Sequence, residues 1–277
     1  MTASSGTPWS DPVAADWLGR TVDTTVAHTA RVYDYWIGGK DNFPADRAVA
    51  DGIAATTPEI RDMARANRAF LGRAVKYVAE RGIRQFLDLG TGLPTAGNTH
   101  EIAQAIAPES KIVYVDNDPL VTIHGQALLA DNDRTTVFEA DLRAPDAILD
   151  HPDVARLIDF DQPVALLLAA VLHFIPDSDD PAGILKRFTS LMAPGSHLVI
   201  SHVARDLVPL PTEAMGTVYR NTSAGALRSH SEIVEFFDGF ELVEPGLVQV
   251  PVWRPDGAVP KDLERYWIYG GVGRKNG

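Results

Sequence analysis

The sequence contains no cysteine, and this absence removes several kinds of chemistry from consideration. Disulfides, thiolate metal sites and cysteine nucleophiles are all excluded. Long apolar runs are missing too, since the longest, Val164 to Leu172, is far shorter than the ~20 residues that a membrane helix needs. The amino terminus lacks the basic and then apolar pattern of a secretory signal. We therefore expect a cytoplasmic protein without membrane contact.

Positive charge is also scarce. The 277 residues include 25 Lys and Arg against 37 Asp and Glu, and the net charge of −12 argues against nucleic acid as the main partner. No His, Asp and Glu cluster has convincing metal-ligand spacing, and no Gly-x-Ser-x-Gly nucleophile motif is present. With 45% hydrophobic residues, the chain suits one large domain, or one domain plus a helical appendage.

The hydrophobic pattern divides the chain into three parts. Met1–Thr25 is rich in Ser, Thr, Gly and Pro and is predicted to be a flexible tail. Residues 26–82 are predicted to form a helical segment, with helices at Ala45–Ala54 and Pro58–Arg81 and turns at the preceding Gly-Gly and Asn-Phe-Pro sequences. Residues 83–277 are predicted to form the main domain.

The main domain consists of repeated strand–helix units. Its predicted strands are continuously apolar, as buried parallel strands are, and the repeats predict right-handed crossovers in an open, doubly wound α/β sheet. Glu241–Val250 and Tyr266–Val272 have no long helix between them, which predicts an antiparallel closing pair. The predicted strands are Gln85–Leu89, Lys111–Asp116, Thr136–Glu139, Val164–Ala170 and His197–His202. The predicted helices are Thr99–Ala107, Leu120–Ala130, Ala144–Ile158, Pro181–Met192 and Ser231–Phe237.

The first strand has Asp88 inside its carboxyl end and is followed by a glycine loop, Gly90-Thr91-Gly92, before a helical pattern begins. A parallel strand followed by such a loop is typical of a nucleotide-binding site at the carboxyl edge of a sheet. Glycine suits the loop because it reaches positive φ and lets backbone N–H groups approach a ligand. A dinucleotide-binding domain would need Gly-x-Gly-x-x-Gly, but Thr95 stands at the third position. A tight turn without any ligand is the purely structural alternative.

Two further carboxylates follow the next two strands. Asp116 ends the second strand, where an ionised carboxylate can accept hydrogen bonds from both ribose hydroxyls. Asp141 lies just beyond the third strand, where it can accept an adenine amino proton, with the backbone N–H of Leu142 beside it. Either carboxylate could cap a helix instead, although Asp118 before Pro119 fits that role better than Asp116 does. Together the strand ends favour a ligand with an adenine, a ribose and a charged tail.

These motifs form an ordered set: Leu87-Asp88-Leu89-Gly90-Thr91-Gly92, Asp116, Asp141 and Ala193-Pro194-Gly195-Ser196-His197-Leu198. The set resembles class I S-adenosylmethionine-dependent methyltransferases. Three stretches resemble more closely a functionally uncharacterised actinobacterial S-adenosyl methyltransferase family: Tyr33-Asp34-Tyr35 with Gly38-Gly39-Lys40-Asp41-Asn42, Ala66-Asn67-Arg68-Ala69-Phe70-Leu71, and Gly90-Thr91-Gly92-Leu93-Pro94-Thr95. The resemblance runs from about Ala30 to the carboxyl terminus. It implies S-adenosylmethionine as cofactor and a Rossmann-like, seven-stranded sheet with an antiparallel final hairpin, but no substrate.

The segment Ala30–Arg47 combines aromatic and charged residues. In class I enzymes such a segment commonly covers the cofactor, so the resemblance makes it a candidate lid, with Tyr33 near the sulfonium because a cation favours an aromatic face. Its aromatic residues could equally be core residues. Arg65, Asn67 and Arg68 lie on a helix, where a solvated face is the default, but Arg68 could instead hold the cofactor carboxylate. The predicted cofactor-binding residues are Asp88, Gly90, Thr91, Gly92, Asp116, Asn117, Asp141, Leu142, Tyr33 and Arg68.

His173 follows the fourth strand, where methyltransferases place substrate-facing groups. It is the candidate general base, although a lone histidine is often a satisfied structural residue. The loop Val203–His230 is expected to contact the substrate through four residues: Thr217, Tyr219, Arg220 and Asn221.

Three functions stay open. The leading one is a methyltransferase that acts on an oxygen or nitrogen of a small-molecule acceptor, because no basic, aromatic-interleaved strip suggests RNA or DNA. The second is a cofactor-binding regulator that has lost catalysis. The third is an NAD-dependent oxidoreductase, which Thr95 already disfavours. No metal is expected, and a homodimer is left open.

Overall fold

Strands and helices alternate in the computed structural model, which describes residues 15–17, 20–95, 97–129, 132–208 and 226–277. The strands are β1 (Ala15–Trp17), β2 (Arg20–Val22), β3 (Gln85–Leu89), β4 (Lys111–Asp116), β5 (Thr135–Glu139), β6 (Ala165–Ala169), β7 (His197–Val203), β8 (Phe240–Leu242), β9 (Val248–Gln249) and β10 (Ile268–Lys275). The helices are α1 (Thr29–Ile37), α2 (Pro44–Thr56), α3 (Ile60–Glu80), α4 (Thr99–Ile106), α5 (Pro119–Leu128), α6 (Pro145–Leu149), α7 (Pro152–Leu157), α8 (Pro181–Thr189) and α9 (His230–Glu235). In these ranges no helix is long and apolar enough to cross a membrane.

One mixed sheet positions the rest of the molecule, with strand order β5-β4-β3-β6-β7-β10-β8. Strands β3 to β7 are parallel, and β10 runs antiparallel to β7. The chain leaves β3 toward β4 on one side and later returns to β6 on the other. A ligand crevice forms at such a switch point, outside the carboxyl ends of the strands. The crevice therefore opens where the glycine loop follows β3.

The predicted doubly wound sheet with an antiparallel closing strand is confirmed, with one change at its edge. Glu241–Val250, predicted as one strand, is divided into β8 and β9, and both pair with β10. Between them the chain passes through Gly246, whose φ of +90° lies in the region that favours glycine. The closing edge is thus shared by two short strands, which gives the sheet eight strands instead of seven.

Helices cover both faces of the sheet. All five residues of β3 are buried, as expected for a parallel strand between two helical layers. Successive side chains point to opposite faces, so Phe86 joins the core that includes Phe70 of α3, whereas Leu87 joins the core that includes Leu185 of α8 and Ile233 of α9.

The amino-terminal helices follow the predicted turn chemistry. Gly38, which has a φ of +92°, caps the carboxyl end of helix α1, and α2 begins with Pro44 at its first turn. Helix α3 matches the predicted helix Pro58–Arg81 to within two residues at either end. Between α1 and α2 lies a small core of Val32, Ala50 and Ile53, separate from the two cores of the sheet.

The prediction of one helix over Ala144–Ile158 is wrong. The structure has α6 and α7, separated by Asp150 and His151. Pro152 cannot donate a backbone hydrogen bond and therefore starts a new helix. The Nδ1 atom of His151 accepts the N–H of Asp153 at 3.2 Å and caps that helix.

Regular structure begins before residue 26. Strands β1 and β2 pair antiparallel, with Ala15 opposite Val22. The side chain of Val22 is 1% exposed and belongs to a core of the sheet. The flexible tail predicted for Met1–Thr25 is thus replaced at β1 and β2 by a strand pair, because Val22 has an apolar site in which to bury its side chain.

A buried ion pair links α1 to the connection between β4 and α5. Arg31 is 5% exposed, and its Nε donates to Oδ2 of the fully buried Asp118 at 2.9 Å. The Oδ1 atom of Asp118 accepts the N–H of Leu120, so this residue caps α5 as predicted. The Nη1 atom of Arg31 also donates to the carbonyl oxygen of Asp23 at 3.0 Å. One guanidinium therefore joins α1, the β4–α5 connection and the segment after β2.

Replacing Arg31 with alanine should lower the free energy of unfolding by about 3–5 kcal/mol, because the carboxylate of Asp118 would stay buried without its cation. Arg61→Ala is the matched control, since Arg61 and Asp51 form an ion pair at 3.2 Å in which both side chains are exposed. Such a pair contributes only about 0–1 kcal/mol. Urea denaturation followed by circular dichroism measures both variants. Equally small losses would show that Arg31 does not fasten α1.

Candidate functional site

The glycine loop crosses the ends of two strands. Gly90 and Gly92 both have a φ of +70°, in the region that favours glycine. The N–H groups of Gly90 and Thr91 donate to the carbonyl oxygen of Val115 at 2.8 and 3.2 Å. These bonds tie the loop to the end of β4 and fix its path.

The two glycines differ in their surroundings. A Cβ on Gly90 would lie 2.4 Å from Cγ2 of Val171, so close packing excludes a side chain there. A Cβ on Gly92 would meet no atom within 4 Å. Gly92 therefore faces open space in the crevice, where a ligand can approach the loop backbone closely.

Asp116 ends β4 beside the loop and is 6% exposed. Its Oδ2 accepts the N–H of Gly92 at 2.8 Å, and its Oδ1 accepts the N–H of Asp118 at 3.0 Å. Burial raises the pKa of Asp116, against the effect of these two donors. Because Asp118 caps α5, the carboxylate of Asp116 remains available at the strand end, as the sequence predicts. Each of its oxygens has a further lone pair for a ligand hydroxyl.

Asp88 lies within β3 and is 3% exposed. Its Oδ2 accepts a hydrogen bond from Oγ1 of Thr99 at 2.8 Å. Burial raises the pKa of Asp88 to about 6, although Thr99 and the nearby charge of Arg68 favour the ionised form. A cationic group bound beside Asp88 would favour that form further.

Two adjoining cavities open at these strand ends. Counting the space at the mouth, the first has a volume of about 1140 Å³ and the second about 1270 Å³. Both are lined by Gly90, Asp116 and Asn117, so they form one crevice. The predicted site residues that line the first alone are Tyr33, Arg68, Asp88, Thr91, Gly92 and His173. Those that line the second alone are Asp141 and Leu142. The structure thus brings all the predicted site residues together, while their roles in binding and catalysis stay predictions.

Tyr33 lies where α1 covers the first cavity. Its hydroxyl donates to the carbonyl oxygen of Ala64 at 2.8 Å and accepts from Nδ2 of Asn67 at 3.1 Å. Asn67 is 3% exposed, and its Oδ1 accepts from Oγ of Ser201 at 2.6 Å. The predicted solvated face is therefore wrong for Asn67, because its amide connects α1 to β7 through buried hydrogen bonds.

Arg68 is half-buried beside the first cavity. Its Nη2 donates to Oδ1 of Asn98 at 3.0 Å. Its Nε is buried and has no hydrogen-bond partner among the residues that the structure describes. A guanidinium that keeps an unused donor in a cavity suits an anionic ligand. The neighbouring Arg65 is exposed, as the solvated-face interpretation predicts.

In the second cavity, Arg143 holds the side chain of Asp141. The Nε of Arg143 donates to both carboxylate oxygens at 3.0 Å, and its backbone N–H donates to Oδ1 at 2.9 Å. The hydrogen bonds from Arg143 keep the pKa of Asp141 below its ordinary range, so the carboxylate is ionised at neutral pH. Leu142 packs into a core of the sheet, is 7% exposed and lines the second cavity beside Asp141.

His173 follows β6 in the 3₁₀ turn Leu172–Phe174 and is 2% exposed. Burial lowers the pKa of His173 well below its ordinary value. Arg228 fixes the turn, since its guanidinium donates to the carbonyl oxygens of Leu172 and Ile175 at 3.1 and 2.9 Å. The imidazole is therefore neutral at neutral pH and is held at the first cavity.

The substrate contacts predicted for Thr217, Tyr219, Arg220 and Asn221 lie outside the described residues. They stay predictions. The described part of the loop Val203–His230 brings Val203 to the wall of the first cavity.

The whole described chain resembles one family of known proteins. A family model described as S-adenosyl methyltransferase matches residues 15–276. The chain belongs to this S-adenosyl methyltransferase family. Among curated proteins, none matches the sequence.

Solved structures agree with the family assignment. A DUF574 family protein from Streptomyces avermitilis is 46% identical, with a TM-score of 0.86 over 91% of this chain and 99% of that one. A structure from Thermobifida fusca, designated a methyltransferase, is 42% identical, with a TM-score of 0.87 over 94% and 99%. An O-methyltransferase family protein from Burkholderia thailandensis is 16% identical, with a TM-score of 0.50 over 82% and 62%, and shares the fold alone.

S-adenosylmethionine is the cofactor of this methyltransferase family, and the residues at the crevice fit it. Gly92 leaves room beside the loop backbone, and Asp116 offers acceptors for ribose hydroxyls. The unused Nε of Arg68 suits the methionine carboxylate. Family membership also removes the dinucleotide alternative, which Thr95 already disfavoured.

Sequence reasoning missed several groups that shape this methyltransferase site. Thr99 holds the carboxylate of Asp88, and only its place at the start of the helix after the glycine loop could have pointed to it. Ser201 and Arg228 act across long sequence separations, and no local pattern marks either of them.

Removing the carboxylate of Asp116 should abolish most of the cofactor affinity. Two hydrogen bonds to a charged acceptor are each worth about 1.5–3 kcal/mol, so Asp116→Ala should raise the Kd for S-adenosylhomocysteine by about 100-fold or more. Calorimetric titration measures this change. Asp133→Ala is the control, because that carboxylate is 87% exposed. Unchanged affinity in a folded Asp116→Ala variant would remove Asp116 from the site.

The raised pKa of Asp88 should make stability depend on pH. The pKa of Asp88 is higher in the folded than in the unfolded protein. The stabilising contribution of its protonated carboxyl group to the free energy of unfolding is therefore fully present below about pH 4 and is lost as pH rises through about 6. Asp88→Asn should therefore gain stability relative to the natural protein over this range. The gain should reach about 3 kcal/mol at most, since one pKa unit corresponds to about 1.4 kcal/mol. Urea denaturation across the pH range measures it.

The control for Asp88→Asn is Asp150→Asn, because Asp150 is exposed. That variant should follow the natural protein at every pH. A constant difference between Asp88→Asn and the natural protein would show that Asp88 has an ordinary pKa in the folded state.

Proposed function

We propose that the protein transfers the methyl group of S-adenosylmethionine to an oxygen or nitrogen of a small-molecule acceptor. The observation that carries this proposal is the extent of the first cavity. It continues from the glycine loop and Asp116 to a space under α1, α2 and α3, where Trp36, Ile53 and Ile60 line it. Such a covered space suits a small molecule better than a protein or nucleic-acid strand.

Most of the predicted cofactor-binding residues have a distinct part in this proposal. Asp116 accepts the ribose hydroxyls, the loop from Gly90 to Gly92 passes close to the ribose and methionine portions, and Arg68 holds the carboxylate. Asp141 and the backbone of Leu142 hold the adenine in the second cavity. Asn117, which lines both cavities, lies between the adenine and ribose positions.

The protein's contribution to the reaction is mainly alignment and exclusion of water. S-adenosylmethionine supplies a methyl carbon that its sulfonium already activates. The acceptor oxygen or nitrogen forms a bond to this carbon with its lone pair while the carbon–sulfur bond breaks. The electrons of that bond return to sulfur, and S-adenosylhomocysteine is the second product. His173, which lines the first cavity and is neutral at neutral pH, takes the acceptor proton.

The function is tested with S-adenosylmethionine that carries a radiolabelled methyl group. The protein is incubated with this cofactor and, in separate reactions, with the small-molecule and macromolecular fractions of an actinobacterial extract. Label in low-molecular-weight products is expected. Label in protein or RNA would overturn the proposed acceptor class. Tight cofactor binding without transfer to any fraction would favour the regulator that has lost catalysis.

With a labelled acceptor identified, His173→Gln should lower kcat by about 10²–10⁴-fold without changing the Kd for S-adenosylhomocysteine. Because burial lowers the pKa of His173, the acid limb of the natural pH–rate profile should lie below about 6.5. His124→Gln is the control, since that histidine is 35% exposed on α5. A loss of stability with unchanged kcat would make His173 a structural residue.

A further inference from the structure

The part of the first cavity that α1, α2 and the start of α3 line is apolar. We call the side chains of Val32, Trp36, Ile53 and Ile60 the apolar end, and all four line this cavity. Val32 and Ile53 belong to the small core between α1 and α2, against which Trp36 and Ile60 pack. One side of this small core therefore faces the cavity and not the sheet.

The charged groups of the first cavity lie at its cofactor end. Among the described residues that line it, the charged ones are Arg68, Asp88 and Asp116, and all three are predicted cofactor-binding residues. His173 also lines the cavity but is neutral at neutral pH. A charged acceptor at the apolar end would thus lose its hydration without gaining a counter-charge from the described lining residues, which is strongly unfavourable.

The polar atoms near the apolar end already bond within the protein. The Nε1 of Trp36 donates to the carbonyl oxygen of Ala50 at 3.2 Å. The hydroxyl of Tyr33 donates to Ala64 and accepts from Asn67, whose Oδ1 accepts from Ser201. These bonds already occupy the polar side-chain groups of Trp36, Tyr33 and Asn67. Recognition at this end therefore depends on apolar contact with aliphatic and aromatic side chains.

From these observations we propose that the methyl acceptor is an uncharged, largely apolar molecule of aromatic character. Its apolar body occupies the apolar end, and the oxygen or nitrogen that is methylated points toward the glycine loop and His173. This inference rests on the proposed function and adds the acceptor class to it.

Three naphthalene probes of similar size test the inference: neutral 1-naphthol, anionic 1-naphthoate and cationic 1-naphthylmethylammonium. Calorimetry measures their binding to the full-length protein at neutral pH with S-adenosylhomocysteine at saturation. We expect 1-naphthol to bind with a Kd about tenfold or more below that of either charged probe. Equal affinities, tighter binding of a charged probe, or no binding of 1-naphthol would each overturn the inference.

A charge placed at the apolar end should change this preference. Ile60→Glu suits the purpose, because Ile60 is half-buried at the first turn of α3, where an acidic residue favours the helix. The substitution should raise the Kd for 1-naphthol about tenfold or more, and the cationic probe should then have the lowest Kd of the three. Val26→Glu is the control, since Val26 is 61% exposed and does not line the cavity, and it should leave all three affinities unchanged.

Titration with S-adenosylhomocysteine separates this inference from the proposed function. If the natural protein does not bind S-adenosylhomocysteine, the proposed function itself fails. If it binds S-adenosylhomocysteine but does not prefer 1-naphthol, the acceptor class alone is wrong. Unchanged S-adenosylhomocysteine affinity in Ile60→Glu shows that the variant is folded, and an unchanged probe preference in that folded variant would also overturn the inference.

Discussion

A pair of buried carboxylates at the end of β4 organises the site. Asp116 accepts the N–H of Gly92 and so holds the glycine loop, while Asp118 caps α5 and accepts from Arg31 of the covering helix. Buried charges cannot lose a partner without a large desolvation penalty. The loop, the first turn of α5 and the position of α1 therefore depend on one another, and the crevice between them has a defined shape.

This arrangement divides the crevice by chemistry. Charged groups gather where the glycine loop meets β3 and β4, and burial raises the pKa of both Asp88 and Asp116 there. The covering helices bring aliphatic and aromatic side chains to the other end. Methyl transfer suits such a division, since the cofactor is already activated and the protein has mainly to align two molecules away from water.

Much of the fold could be predicted because its signals are local. Apolar runs such as Ile112–Val115 within β4 marked the parallel strands, and Gly38 and Pro44 marked the helix ends. The errors arose where a local pattern competed with another constraint. Ala144–Ile158 has a helical pattern, but Pro152 lacks an N–H and starts a second helix. Val22 lies in polar sequence, and only the core of the sheet gives it a buried position.

The sequence by itself determined the cofactor end of this protein. Asp88 and Asp116 lie at the carboxyl ends of β3 and β4, the glycine loop follows β3, and the carboxyl ends of parallel strands must meet at one edge of a sheet. Only the tertiary structure decided which groups complete the site. Asn67 is predicted to be a surface residue, but it is buried and accepts a hydrogen bond from Ser201, 134 positions away. Arg228 donates to the carbonyl oxygen of Leu172, 56 positions earlier in the chain. Such contacts arise from packing between distant elements, so no local pattern of residues records them.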